Sequence, residues 1–273
     1  MTEKTIITVA PTGNVPTQDL NPHTPVTTEE IVQDIYRCYL EGASVAHVHA
    51  RDEKGCPTAD PDVFEEIIEG VRQKCDIIIQ LSTGARGGSY EERGHCVELK
   101  PEMASLTTGS SNFPGAVNYN PPDLIENLAR KMFEAGVKPE LEIFDLAMID
   151  GALNLLKKGL LKEPLHFNLV LNVPGSLKGT PKNLFILKES LPPQCTWTVS
   201  AIGKSHKNLM ALALVLDGNV RVGIEDVIEL EKGKPASNLE LVRNVKEIAK
   251  VLGKDIASPS EAREILNLGK GAR

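Results

Sequence analysis

The stretch "SVAHVHARD" (44–52) has the alternation of a buried β-strand and carries two histidines one residue apart. Alternate residues of a strand share a face. One face carries Val45, His47, His49 and Arg51. The opposite face carries Ser44, Ala46, Val48 and Ala50. The second set is small and mostly apolar, so we expect it to pack beneath helices while the histidine face points the other way.

Strand-like and helix-like segments alternate along nearly the whole chain. The strand-like segments are 5–10, 44–50, 75–82, 101–108, 139–145, 165–173, 196–202 and 219–225. Helix-like segments follow them, as in "TTEEIVQDIYRCYLEG" (27–42), which has a Thr cap, early acidic residues and a Gly stop. The segment "SPSEAREILN" (258–267) predicts one extra helix at the C-terminus.

Eight βα units predict an α/β fold of the (β/α)8 TIM-barrel class, which typically takes about 250 residues. No linker or composition break divides the 273 residues, so we expect residues 1–273 to form a single TIM-barrel domain with the extra C-terminal helix. A doubly wound open sheet also alternates strands and helices. It is disfavoured because no strand-like segment precedes a G-x-G-x-x-G turn and because eight units suit closure.

Composition and charge narrow the functional classes. The chain has 30 Lys and Arg against 37 Asp and Glu, and this net charge of −7 argues against nucleic acid as the main partner. Apolar runs such as "IIIQL" (77–81) are far shorter than the roughly 20 residues of a membrane span. The start "MTEKTIITVA" lacks the pattern of a signal peptide, and the five scattered cysteines suit reducing conditions. We therefore expect a cytoplasmic protein without a membrane partner.

The histidine pair predicts a metal site. In barrels of this class the active site lies at the C-terminal ends of the strands, toward which His47 and His49 are placed. Their Cα atoms are expected roughly 6.5–7 Å apart, close enough for both imidazoles to bind one ion. The alternative is that both are hydrogen-bonded residues of the inner layer. Two imidazoles buried without partners would be costly, which favours the metal.

A third ligand is expected from the last strand. In "NVRVGIED" (219–226), alternation places Arg221, Gly223 and Glu225 on one face, with Glu225 at the C-terminal end. The eighth strand of a barrel lies beside the first and so near the second. Two histidines and a glutamate form a known catalytic zinc arrangement. Arg221 and Asp226 supply a charge-assisted pair. The alternative is a strand that simply runs into an acidic helix start.

Several motifs then occur in order along the chain: "TVAPTGN", "AHVHARDEKGCPT", "IQLSTGARG", "LKPEMASLTTGSSNF", "LVLNVPGSLKGTPKNL", "VSAIGKSHKN" and "VRVGIED". Together they resemble the β-keto acid cleavage enzymes over essentially the whole chain. The resemblance implies a TIM barrel, a homotetramer, a divalent metal (typically Zn²⁺) and acetyl-CoA as cosubstrate. The implied reaction combines a β-keto acid with acetyl-CoA to give acetoacetate and a new acyl-CoA.

The resemblance also implies roles for individual residues. The family's metal ligands match His47, His49 and Glu225. Its Arg–Asp dyad matches Arg221 and Asp226, and Asp226 is our candidate for the base that removes the C2 proton of the substrate. Ser82 and Ser105 match hydroxyl positions and are candidates to stabilise the oxyanion formed at the thioester.

Substrate contacts are expected from Glu142, Thr107 and Asn14. Asn14 departs from the pattern of family members that act on an aminated substrate, because it replaces a carboxylate. A carboxylate can pair with an ammonium group, whereas an amide cannot form that salt bridge. Glu142 could still serve an amine. The substrate therefore stays open between 3-keto-5-aminohexanoate, as in lysine fermentation, and another β-keto acid.

Two loops are candidates for binding the CoA phosphates. They are "GSLKGTPKN" (175–183) and "GKSHKN" (203–208), which follow the sixth and seventh strands. Loops at this end of a barrel often bind phosphate through backbone amides and basic side chains. The candidate residues are Lys178, Lys182, Lys204 and Lys207.

Two other functions remain open. A metal-dependent hydrolase of the amidohydrolase type also uses H-x-H on a strand. It needs further metal histidines on later strands, however, and His166 begins its strand. The second is a non-catalytic barrel that binds a metal or CoA, which the Arg221–Asp226 pair argues against.

Overall fold

Eight parallel strands form a closed barrel in the computed structural model, which describes residues 4–84, 92–113 and 115–269. In chain order the strands are β1 (Ile7–Val9), β2 (Val45–Val48), β3 (Ile78–Leu81), β4 (Met103–Thr107), β5 (Lys138–Ile143), β6 (His166–Leu171), β7 (Thr196–Ala201) and β8 (Asn219–Val222). Strands adjacent in the chain are adjacent in space, and β8 pairs with β1 to close the ring. The predicted TIM-barrel fold is confirmed.

Helices connect the strands and pack around the barrel. The α-helices are α1 (Thr28–Glu41), α2 (Pro61–Arg72), α3 (Pro122–Ala135), α4 (Ala147–Lys157), α5 (Pro181–Glu189), α6 (His206–Val215), α7 (Asn238–Val251) and α8 (Pro259–Ile265). The connection from β3 to β4 contains a 3₁₀ helix, Glu92–Leu99, instead. The last three residues of the motif "IQLSTGARG" lie outside the described residues. Within the described ranges, every helix is too short or too polar to cross a membrane.

The extra C-terminal helix is confirmed and closes one end of the barrel. Ser258 caps α8 in a capping box with Glu261, and the Arg263 guanidinium binds the Glu102 carboxylate at 2.6 and 3.0 Å. Apolar side chains of this segment join the starts of the first strands in a small core: Ile6, Val45, Ile78, Met103, Ala257, Ala262 and Leu266. Because the N-terminal end of the barrel is filled in this way, the other end is the one that can hold a site.

The larger core lies between the strands and the surrounding helices. Ala46 and Val48 belong to it, as the alternation of β2 predicts. The register places Thr8 of β1 between Val45 of β2 and Arg221 of β8. The polar residues of β2 and β8 are therefore only one strand apart.

Both site strands end earlier than predicted. β2 stops at Val48 and β8 stops at Val222, so the placement of His49 and Glu225 within strands is wrong. The reason on β8 is Gly223, whose φ is 153° and where a Cβ would lie 2.0 Å from the Ala10 carbonyl oxygen. The chain turns there, and the Asp226 amide donates to the Gly223 carbonyl at 3.0 Å. Glu225 thus reaches the site from a turn.

Candidate metal centre

Three side chains meet at the C-terminal mouth of the barrel. The candidate ligand atoms of His47, His49 and Glu225 all lie within 4.8 Å of one another. The Nε2 atoms of His47 and His49 are 3.3 Å apart. Glu225 Oε2 lies 3.8 Å from His47 Nε2, and Glu225 Oε1 lies 3.5 Å from His49 Nε2. The predicted set is therefore brought together, although two of its members stand outside strands.

Amide groups behind the imidazoles fix which nitrogens face inward. His47 Nδ1 bonds Gln80 Oε1 at 2.6 Å, and His49 Nδ1 bonds Asn14 Oδ1 at 3.1 Å. The Asn14 amide is oriented by its other end, because Nδ2 donates to the Gly84 carbonyl. Amide oxygens only accept, so both Nδ1 atoms carry the proton and both Nε2 lone pairs face Glu225. Metal-binding histidines are commonly oriented in this way.

The electrostatics of the three ligands suit a cation. Burial lowers the pKa of His47 to about 4, so its imidazole is neutral at pH 7. Burial alone would raise the pKa of Glu225, but the charge of Arg221 brings it well below its ordinary value. Glu225 Oε2 is buried and has no hydrogen-bond partner among the described residues. Two facing lone pairs and an unsatisfied carboxylate oxygen fit a divalent metal, and this donor set is one that zinc accepts.

Backbone contacts between the β1 loop and the β8 turn seat Glu225. Gly13 has a φ of +64°, and a Cβ there would lie 2.5 Å from Glu225 Cγ. Asn238, the first residue of α7, accepts from the Ile224 amide at 2.7 Å and donates to the Pro11 carbonyl at 2.9 Å. Strand patterns do not reveal Gly13 or Asn238, because Gly13 contacts Glu225 and Asn238 binds Pro11, each more than 200 residues away along the chain.

The Arg221–Asp226 pair lies directly beside the ligands. Arg221 binds both Asp226 oxygens, Nε to Oδ2 at 2.9 Å and Nη2 to Oδ1 at 2.6 Å, and Nη2 also contacts Glu225 Oε1 at 3.0 Å. Burial raises the pKa of Asp226, although Arg221 acts in the opposite direction. Arg221 Nη1 is buried without a hydrogen-bond partner in the described ranges and lies 4.0 Å from Glu142 Oε1. That nitrogen is a donor for an anionic ligand.

Glu142 and Thr107 face each other across β4 and β5. Thr107 Oγ1 donates to Glu142 Oε2 at 2.6 Å, and the two residues are partners in the strand register. Burial raises the pKa of Glu142, which Arg221 opposes. The two predicted substrate contacts therefore form one polar unit that reaches toward Arg221.

Ser82 directly follows β3, and Ser105 lies on the neighbouring strand β4. Both residues are buried. Ser82 Oγ accepts from the Gly84 amide, and Ser105 Oγ accepts from the Thr83 amide, each at 3.2 Å. A hydroxyl that accepts in this way still has its own proton to donate. Both residues can therefore act as donors to an oxyanion.

The four candidate lysines are exposed; two lie on the segments that follow β6 and β7, and Lys182 and Lys207 lie instead in the first turns of α5 and α6. Within the described part of the chain none of them has an ion-pair partner, and the set is Lys178, Lys182, Lys204 and Lys207. The two loops are joined, because Asn172 Nδ2 donates to the Ile202 carbonyl at 2.7 Å. The Gly203 amide also donates to the Asp226 carbonyl at 2.9 Å, which ties the β7 loop to the ligand turn.

A second polar network fills the barrel below the site. The Glu140 carboxylate accepts from Asn168 Nδ2 at 3.1 Å and lies 3.4 Å from His166 Nε2. Burial alone would raise the pKa of Glu140, but the His166 hydrogen bond lowers it to about 2. His166 is thus paired with Glu140 rather than with the three ligands. The pattern Glu140-Leu141-Glu142 on β5 indicates that the two carboxylates share one face of the strand, but it does not indicate the pairing of Glu140 with His166.

Comparisons with known proteins agree with the sequence motifs. The family model for beta-keto acid cleavage enzymes matches residues 4–268. The chain is 46% identical to a 3-keto-5-aminohexanoate cleavage enzyme of Acetoanaerobium sticklandii, over 98% of this chain and 100% of the relative. It is 37% identical to a 3-oxoadipate:acetyl-CoA acetyltransferase of Cupriavidus necator, over 98% of this chain and 96% of the relative.

A solved structure shares the fold at lower identity. A ternary complex of ObcA with a C4-CoA adduct and oxalate has a TM-score of 0.79 and 22% identity, covering 90% of this chain and 68% of that one. At this identity the likeness concerns the barrel alone.

The close contact between Gly13 and Glu225 can be tested by substitution. Replacement Gly13→Ala should weaken zinc binding by roughly 10- to 100-fold, the range seen when groups that orient a metal ligand are disturbed. The reason is that the added Cβ displaces Glu225. Gly253→Ala is the matched control, since Gly253 has a similar φ of +68° with nothing within 4 Å of the added atom. Competition with a chromophoric chelator measures both affinities. Equal zinc affinity in the two variants would contradict the assignment.

Proposed function

The chain belongs to the β-keto acid cleavage enzyme family, and from this premise we propose that it is a metal-dependent enzyme that combines a β-keto acid with acetyl-CoA to give acetoacetate and a new acyl-CoA. The observation that carries the proposal is the convergence of His47, His49 and Glu225 beside the Arg221–Asp226 pair. Three metal ligands next to an oriented carboxylate form a site for removing a proton α to a carbonyl.

The proposed chemistry assigns the base and the oxyanion donors. A divalent ion held by His47, His49 and Glu225 would polarise the ketone and stabilise the enolate. Asp226, held by Arg221, accepts the C2 proton, and the C2 carbanion forms a bond with the thioester carbonyl of acetyl-CoA. Ser82 and Ser105 donate to the oxyanion of that step. The acetyl C–S bond then breaks and frees the CoA thiolate, which forms a bond with C3, the original ketone carbon. The bond between C2 and C3 breaks to give the new acyl-CoA, and Asp226 returns its proton to C2 as acetoacetate leaves.

For the substrate, we propose a β-keto acid whose carboxylate is held by Arg221 Nη1. 3-Keto-5-aminohexanoate is the first candidate because the 46% identical relative carries that substrate in its name. Asn14 weakens the case for an ammonium group, since its amide is used on His49 and Gly84 and supplies no negative charge. Glu142, paired with Thr107, is the carboxylate proposed to serve an amine.

The remaining parts of the proposal concern cosubstrate and assembly. The exposed lysines Lys178, Lys182, Lys204 and Lys207 are proposed to bind the phosphates of acetyl-CoA. Zinc is the proposed metal, and a homotetramer in the cytoplasm is the proposed assembly and location. Zinc and the homotetramer rest on the resemblance of the chain to its family, and the location rests on the scattered free cysteines.

The function is tested by mixing the zinc-loaded protein with acetyl-CoA and a panel of β-keto acids that includes 3-keto-5-aminohexanoate and 3-oxoadipate. We expect acetoacetate and a new thioester in equal amounts, loss of both after chelation, and recovery when zinc is restored. Chromatography of the thioesters together with an acetoacetate assay measures this. Product formed without acetyl-CoA would instead indicate a hydrolase, and no product from any acid would favour a binding protein.

Replacement Asp226→Asn tests the assigned base. We expect kcat to fall by about 10²- to 10⁴-fold, because the amide cannot accept the C2 proton. The exposed Asp217 provides a matched control, and Asp217→Asn should leave kcat unchanged. Circular dichroism and zinc content check that both variants are folded and loaded. Near-normal turnover of folded, loaded Asp226→Asn would rule out this base.

A further inference from the structure

Arg51 is a buried cation whose hydrogen bonds within the described residues all go to neutral oxygens. Its side chain is 4% exposed, and within the described residues no carboxylate pairs with it. Four bonds of 2.7–2.8 Å satisfy the guanidinium: Nε to Thr12 Oγ1, Nη1 to the Gly55 carbonyl, and Nη2 to the carbonyls of Gly13 and Pro16. A buried charge with no ion pair is costly, so this arrangement calls for a reason beyond stability.

The acceptors show which parts of the fold Arg51 joins. Thr12, Gly13 and Pro16 belong to the loop that follows β1, and Gly55 belongs to the turn that follows the histidines. One guanidinium therefore fastens the β1 loop to the segment that begins at His49. Arg51 lies beyond β2, in a two-residue strand, Ala50–Arg51, that pairs antiparallel with Pro57–Thr58.

The fastened loop touches two of the three candidate ligands. Gly13 packs against the Glu225 side chain, where even one added carbon would lie 2.5 Å from Cγ. Asn14, which lies between residues that Arg51 binds, accepts a hydrogen bond from His49 Nδ1. A shift of this loop would therefore move Glu225 and turn the His49 imidazole at the same time.

We propose that Arg51 is a positioning residue of the metal centre, which holds the β1 loop so that Glu225 and His49 keep the geometry for one divalent ion. This inference rests on the metal dependence in the proposed function. Arg51 acts through Gly13 and Asn14 and does not itself touch the ligand atoms.

The planar guanidinium is what this role requires. Its N–H donors project in fixed directions from three coplanar nitrogens, and they reach four acceptors on two segments. A lysine ammonium keeps the charge but places its three donors on one atom, so it cannot span the same set. The variant Arg51→Lys therefore separates the fork from the charge.

The test compares Arg51→Lys with Arg263→Lys in the full-length protein. Arg263 also makes a fork, on Glu102, but at the opposite end of the barrel. Chelator competition gives the zinc affinity, thermal unfolding gives the stability, and steady-state kinetics give kcat and KM. We expect Arg51→Lys to bind zinc roughly 10- to 100-fold more weakly. Arg263→Lys should lose stability and keep its zinc affinity.

The outcomes separate this inference from the proposed function. Wild-type protein that binds no zinc overturns the proposed metal dependence. Wild-type protein that binds zinc, with Arg51→Lys equally tight, overturns the role of Arg51 alone, whatever its stability. If Arg51→Lys does not fold, Thr12→Val removes one acceptor at nearly constant volume. It should weaken zinc binding while the fold is retained, and unchanged affinity there would equally overturn the role.

Discussion

Three atoms with lone pairs aimed at one point repel one another when no positive charge lies among them. Here His47 Nε2, His49 Nε2 and the Glu225 carboxylate lie within 4.8 Å of one another, and both histidines are buried. The amides of Gln80 and Asn14 keep both imidazoles in the orientation that creates this conflict. The surrounding structure is arranged to maintain the cluster rather than to relieve it, and this is the physical reason to infer a cation.

The charges around the cluster are also balanced for an anionic substrate. Arg221 and Asp226 neutralise each other, so the dyad adds little net charge to the site. A divalent ion with Glu225 as its single anionic ligand would leave an excess positive charge. Together with Arg221 Nη1, which has no hydrogen-bond partner among the described residues, that excess favours a carboxylate such as that of a β-keto acid.

The sequence predicts the barrel and the ligands because both depend on local periodicity. Eight strand–helix repeats indicate closure, and the alternation of β2 places His47 on the inner face. The same alternation wrongly extends the two strands to His49 and Glu225, which lie beyond the strand ends. The exact strand ends depend on Gly223, which has to pass within contact distance of the Ala10 backbone. No single-strand pattern contains that information.

Other parts of the site could not be predicted because they are tertiary contacts between distant segments. Arg51 looks like one more polar residue of a strand face, yet its four acceptors lie in two loops. Asn238 joins α7 to both the β1 loop and the β8 turn. Glu140 and His166 form a buried pair that neither residue indicates alone. Short stretches of sequence thus identify the candidate ligands, whereas the contacts that hold those ligands in place come from distant segments.

The central claim is that one divalent ion is bound by these three side chains. Diffraction data collected on both sides of the zinc absorption edge, from crystals of the zinc-loaded protein, test it directly. We expect one anomalous peak per chain, bonded to His47 Nε2, His49 Nε2 and the Glu225 carboxylate. A peak elsewhere, or none at this position in protein saturated with zinc, would contradict the account.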